Sequence, residues 1–177
     1  MKTYAALLRG VNVGKNQLAM ADLRALLADL GGKDVRTYLQ SGNAVFGHAT
    51  TDLAELAQAI ERGLATSGVS TKVLLRTGKD LAGVLAGNPY LTREPDPAKL
   101  HVTFLAEAPA AERAQLQAPA SETATFTLAG KEIYLHCPDG YGRTKLTNSF
   151  FESRLSAVAT TRNWRTVTAL AELTAAQ

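Results

Sequence analysis

Two short stretches near the C-terminal end carry the residues best suited to chemistry: Tyr141-Gly142-Arg143-Thr144-Lys145-Leu146-Thr147-Asn148 and Thr160-Thr161-Arg162-Asn163-Trp164. Each mixes cations and amide side chains with threonine beside an expected helix start, a combination that holds an anion better than it fills a core. Gly142 frees the backbone ahead of Arg143 and Lys145, and Thr147 is placed to cap a helix beginning at Asn148. Thr160 or Thr161 would cap a second helix carrying Arg162 and Asn163. Two helix N-termini near several cations would make a positive pocket. Residues 139–165 hold five Arg or Lys against two Asp or Glu, and this excess equals the net charge of +3 of the whole chain. A solvated helix face would carry the same charges with no ligand at all.

A second group of polar residues lies near the start. Gly10-Val11-Asn12-Val13-Gly14-Lys15-Asn16 follows a strand pattern and precedes a helix pattern, as a phosphate-binding loop does. The match fails in detail. Three residues separate the glycines instead of four, and Asn16 stands where a magnesium-binding hydroxyl belongs. What survives is a loop in which Arg9, Asn12, Lys15 and freed backbone amides can meet an anion, or a tight turn and nothing more. Gln40-Ser41-Gly42-Asn43 suits both a hairpin turn and a set of polar contacts from Gln40, Ser41 and Asn43. Ser41 lacks the surroundings of a nucleophile. Alternation along two later strands puts His101, Thr103, Tyr134 and His136 on one expected face, from which an acid or base could be drawn. His136 and Cys137 are neighbours on a strand pattern and point to opposite faces, so no metal site is expected.

The elements that must position these residues follow from periodicity. Thr3 to Leu8 reads as a buried strand, and Met20, Leu23, Leu26, Leu27 and Leu30 form one helical stripe stopped by Gly31-Gly32. Val35 to Gln40 and Ala44 to Phe46 make a hairpin; Thr51-Asp52 opens a helix bearing Leu53, Leu56, Ile60 and Leu64. Lys72 to Arg76 is a fourth strand, followed by a short helix over Asp80 to Ala86. Strand, helix, strand, strand, helix, strand is the order of a ferredoxin-like βαββαβ subdomain, an antiparallel sheet with helices on one face. Prolines and charges over Thr92 to Pro97 suggest a boundary, giving residues 1–91 and 98–177. The second part repeats the grammar with Leu100 to Leu105 as strand, Ala110 to Gln117 as helix, a hairpin through Gly130-Lys131, and Asn148 to Leu155 as helix. Its last strand is expected to be replaced by a closing helix over Arg162 to Leu173. The fold class is therefore α+β: two ferredoxin-like subdomains, the second incomplete and ending in an extra helix.

With 46% hydrophobic and 20% charged residues the chain is in the globular range, and its pI near 9.1 permits an acidic partner without demanding one. The single cysteine, Cys137, and a start that runs straight into a strand fit a cytoplasmic protein, and no apolar run reaches the roughly 20 residues that span a bilayer. Four stretches carry a resemblance: Leu7 to Asn16, Val35 to Phe46, Gly142 to Asn148 and Ala159 to Val167. In these the chain resembles a bacterial conserved-hypothetical family known as domain of unknown function 1697, with Lys15 where a second glycine is common and Arg165 where Asn is usual. The resemblance implies a two-part ferredoxin-like fold and no established activity. The expected function is binding of a phosphate-rich ligand, nucleotide or nucleic acid, at a basic cleft between the subdomains. The expected contacts are Arg9, Asn12, Lys15, Gln40, Ser41, Asn43, Arg143, Lys145, Asn148, Arg162 and Asn163, with no cofactor. An enzyme acting on a small anionic substrate and a protein-interaction domain are the alternatives.

Overall fold

Tyr4, Ala5, Ala6, Leu7 and Leu8 are all buried, although a strand turns alternate side chains to opposite faces. A strand covered on both sides needs such an unbroken apolar run, and this one is β1 (Lys2–Leu8), an inner strand of the first sheet. The computed structural model describes residues 1–176, and among them two four-stranded antiparallel sheets form. The chain divides into two compact units: Met1–Gly83 with the segment from Ala169 onward, and Val84–Thr168.

In the first unit β1 is followed by α1 (Met20–Asp29), β2 (Lys33–Thr37), β3 (Asn43–His48), α2 (Leu53–Thr66) and β4 (Val73–Thr77), in sheet order β2-β3-β1-β4. This is the ferredoxin-like arrangement. Tyr4, Ala6, Leu8, Ala44, Phe46, Val73 and Leu75 face the helices and pack with Leu23, Leu27, Leu56, Ile60 and Leu64. Full burial of a side chain such as Ile60 contributes about 2 kcal/mol. Asp52 caps α2 by accepting from the Glu55 N–H at 3.0 Å. Then α3 (Gly78–Gly87) starts directly from β4, with Thr77 and Asp80 exchanging two bonds of 3.0 and 2.8 Å.

The second unit contains β5 (Leu100–Leu105), β6 (Thr125–Ala129), β7 (Glu132–His136), α4 (Asn148–Leu155), β8 (Ala159–Asn163) and the start of α5 (Trp164–Ala175). Its sheet order, β6-β7-β5-β8, repeats that of the first unit. The wiring repeats as well. Leu8 and Arg9 donate their N–H groups to Gly42 O and Lys72 O; Leu105 and Ala106 donate theirs to Lys131 O and Val158 O. Tyr4 pairs with Phe46 and Thr77, and at the matching positions His101 pairs with Leu135 and Asn163.

Two expectations for this half are corrected. The last strand is present: Ala159-Thr160-Thr161-Arg162-Asn163 is β8, because the β-branched threonines fit a pleated strand and Asn163 takes over the cap of α5, accepting from the Thr166 N–H at 2.8 Å. The missing element is the first crossover helix. Residues 110–117 form only a turn, with Arg113 and Ala114 N–H bonded to Ala110 O. Pro109 and Pro119 bracket a stretch in which Leu116 is the one large apolar residue, so no stripe holds a short helix in place. The second unit is thus the incomplete one, short of a helix and not of a strand.

Candidate functional site

In the first unit the glycine-bearing loop and the hairpin turn meet. Asn12, at φ 56°, donates its amide to Gln40 O and accepts the Leu18 N–H at 2.8 Å. Asn43 is fully buried at the start of β3, its amide donating to Tyr38 O (2.9 Å) and Ser41 Oγ (3.0 Å). The left-handed residues of this turn are Leu39 and Gly42, not Asn43. Only glycine fits at 42, since a Cβ there would lie 2.5 Å from Val11 Cγ2 and 2.9 Å from Leu8 Cβ. A third loop joins them through Asn16 to Ser70 O (2.8 Å) and Thr71 Oγ to Arg9 O (2.8 Å). Arg9, Asn12, Lys15, Gln40, Ser41 and Asn43 therefore gather at one end of this sheet. The amides of Asn12 and Asn43 are taken up by protein groups, while Lys15 and Gln40 are exposed.

In the second unit the two C-terminal stretches also meet, on the face of the sheet that α4 covers. Thr161 Oγ donates to Asn148 Oδ1 at 2.7 Å and lies 2.7 Å from Thr103 Oγ. A hydroxyl has one proton, so Thr103 must be the donor to Thr161, and the relay runs Thr103 to Thr161 to Asn148. Asn148 is held by its oxygen, and its NH2 group makes no bond among the described residues. Thr147 caps α4 through the Phe150 N–H at 3.2 Å, as expected. The Lys145 N–H is held at 2.7 Å by the Glu122 carboxylate, which also takes the Ala124 N–H at 3.0 Å; these backbone bonds keep Glu122 below the usual carboxylate range. The loop before α4 thus already accommodates one carboxylate. Arg143 and Lys145 are exposed, and their side chains have no partner among the described residues.

The histidine face is corrected. His101 pairs with Leu135 while Leu100 pairs with His136, so the two histidines lie on opposite faces. His101 is 8% exposed, stacked on Tyr141 at 4.8 Å, and burial pushes its pKa down to about 4. It is neutral at pH 7. His136 Nε2 lies 3.0 Å from Glu94, and that bond, with the Asp96 backbone N–H, holds Glu94 below its ordinary value. Burial raises the Cys137 thiol to about 11, which removes it as a nucleophile.

Arg162 lies in β8 opposite Val102, on the other face from Thr161 and Asn163. It is buried, donates to Thr160 Oγ (2.7 Å) and Thr161 O (3.0 Å), and is pulled down to about 10 by burial, still charged at neutral pH. Sequence reasoning missed its counterpart. Arg76, 1% exposed, lies opposite Ala5 at the matching position of β4 and donates to Leu75 O at 3.0 Å, as Arg162 does to Thr161 O. The signal was available: in each half an arginine stands one residue before the cap of a helix that starts directly from the fourth strand.

Residues 1–134 match a family described as "Protein of unknown function (DUF1697)". No curated protein matches the chain. Among solved structures, conserved bacterial protein SP0830 from Streptococcus pneumoniae is similar, with a TM-score of 0.77 at 24% identity over 99% of each chain, a likeness of fold. No helix among the described residues is long and apolar enough to cross a membrane.

Proposed function

The chain belongs to the DUF1697 family, a membership that brings no activity with it, and on that premise we propose that it binds a phosphate-rich anionic ligand, a nucleotide or nucleic acid, at the loop ahead of α4. The observation that carries this reading is Asn148. Its oxygen is fixed by the hydroxyl relay from Thr103 and Thr161, which leaves a pre-oriented amide donor at a helix N-terminus, where partial positive charge accumulates. Arg143 and Lys145 stand five and three residues upstream with exposed charges. In the first unit Lys15 and Gln40 offer a second pair of exposed polar side chains.

Titration of the full chain with a nucleoside triphosphate and with short duplex and single-stranded nucleic acids, over a series of salt concentrations, tests the proposal. Binding is expected to weaken at least tenfold in Arg143→Ala with Lys145→Ala. With duplex DNA, log K falls by about 0.9 for each phosphate neutralised. Absence of binding to every probe, or binding indifferent to both salt and the double variant, overturns the reading.

A further inference from the structure

His48 ends β3 with both ring nitrogens engaged, and the two bonds together fix its protonation state. Nδ1 accepts the Thr50 N–H at 3.1 Å; a backbone N–H can only donate, so Nδ1 carries no proton. Nε2 lies 2.9 Å from Leu30 O, which can only accept, so the proton is on Nε2. Both partners demand the same neutral tautomer. Each bond secures a different helix. Leu30 is the C-cap of α1, and its carbonyl is one of those that a helix end leaves without an intrahelical partner. Thr50 is the joint ahead of α2. Its carbonyl takes the Tyr4 hydroxyl at 2.7 Å and its Oγ takes the N–H of Asp52, the residue that caps α2.

We propose that His48 is a pH-sensitive latch on the connection between β3 and α2, closed by the neutral ring and released at Thr50 by the imidazolium. An imidazolium donates from both nitrogens, so it keeps Leu30 O and sets Nδ1–H against the Thr50 N–H. The α1 end holds while the Thr50 end lets go. From α2, Glu55 shares with Leu30, His48, Thr50, Leu56 and Ala59 the wall of a hollow of about 230 Å³. Its carboxylate offers the new Nδ1–H an acceptor once the connection moves aside. The proton is therefore met by a local opening and not by unfolding of the sheet. The other groups around the ring decide less. Lys2 of β1 pairs with His48 and opposes its charge, while Lys33 of β2 pairs with Gly47 and so turns to the opposite face. Phe46 meets the ring edge-on at 6.4 Å, and α1 adds Gly31, neither of them titratable. The Tyr4 hydroxyl is spent on Thr50 O, and the Asp52 carboxylate on the Glu55 N–H.

Nitrogen NMR of the imidazole in the full chain at about pH 8 should place the His48 proton on Nε2. As pH falls to about 5, through the ordinary histidine range, the Thr50 amide should lose at least tenfold in hydrogen-exchange protection, in step with charging of the ring. Ala6, in β1 of the same sheet, should keep its protection within about twofold. His101 belongs to the other unit, so a readout confined to Thr50 separates the two histidines. In His48→Asn the side-chain oxygen can accept the N–H two residues on, as in an Asx turn, and takes up no proton. Thr50 protection in that variant should not vary with pH. A proton on Nδ1 at the alkaline end, a ring that stays neutral throughout, Thr50 protection unchanged while the ring charges, or a His48→Asn variant as acid-sensitive as the original would each overturn the proposal. The first three need no variant, so the test stands even if His48→Asn fails to fold.

Discussion

Tyr4 and His101 occupy the same place in two copies of one sheet, and what surrounds them has gone in different directions. In the first unit Ala6 pairs with Leu75, both apolar, and in the same row the Tyr4 hydroxyl is bonded to Thr50 O at 2.7 Å. In the second, the equivalent pair is Thr103 with Thr161, joined to Asn148. His101 lies buried with its Nδ1 atom unbonded. Polar groups under a helix stabilise less than the apolar pair of the first unit. Local rules broken without a gain in packing mark a site more often than an accident. That contrast confines the buried hydroxyl and amide relay to the second unit, while the Arg76 and Arg162 pair marks what the two units have in common.

The strongest test of the equivalence is loss of those arginines. Arg76→Ala and Arg162→Ala each remove a buried, hydrogen-bonded charge and leave its acceptors unmet. Each is expected to cost about 3 kcal/mol or more in chemical denaturation. If one costs less than about 1 kcal/mol, the likeness is topological only. A smaller effect concerns pH. The folded pKa of His101 is depressed, so below the ordinary value near 6.5 the unfolded chain takes up a proton that the folded chain refuses until about pH 4. Stability therefore declines as pH falls through that window. Discounted for partial solvent access, the loss by pH 4.5 is roughly 2 kcal/mol, and His101→Phe should abolish it. Equal slopes for the two proteins between pH 6.5 and 4.5 would remove His101 from the contrast. The smallest effect comes from copying one unit into the other. Thr103→Ala with Thr161→Leu restores the apolar pair and should stabilise the chain by up to about 1 kcal/mol while weakening anion binding. Retained affinity would sever the relay from the site.

Legibility from sequence followed the strength of the apolar pattern. The first unit, with its β1 run, the two striped helices, the Asp52 cap and the hairpin at Gly42, could be read almost element by element, because each segment agrees with its own periodicity. The second unit misled wherever two principles competed. Alanine and glutamate between Pro109 and Pro119 have helix propensity and no stripe, and burial decided. Thr160 and Thr161 suit a cap and a strand equally, and pairing with Phe104 and Thr103 decided in favour of the strand. The faces of His101 and His136 could not be known without the register between β5 and β7, since a shift of one residue reverses every side chain. Asn148 and its partner Thr161 were visible as residue types; that they touch was not.

The division of the chain has a consequence for how it is made. The first unit is not finished at Gly83. It also contains the segment from Ala169, where Thr174 lies beside Gly78 at the start of α3. During translation the amino-terminal sheet can assemble early, but its last piece is made only after the whole of the second unit. Until then a partly built first unit must wait with its missing segment still unsynthesised, so slow or interrupted synthesis strands the half that reads most simply from its sequence.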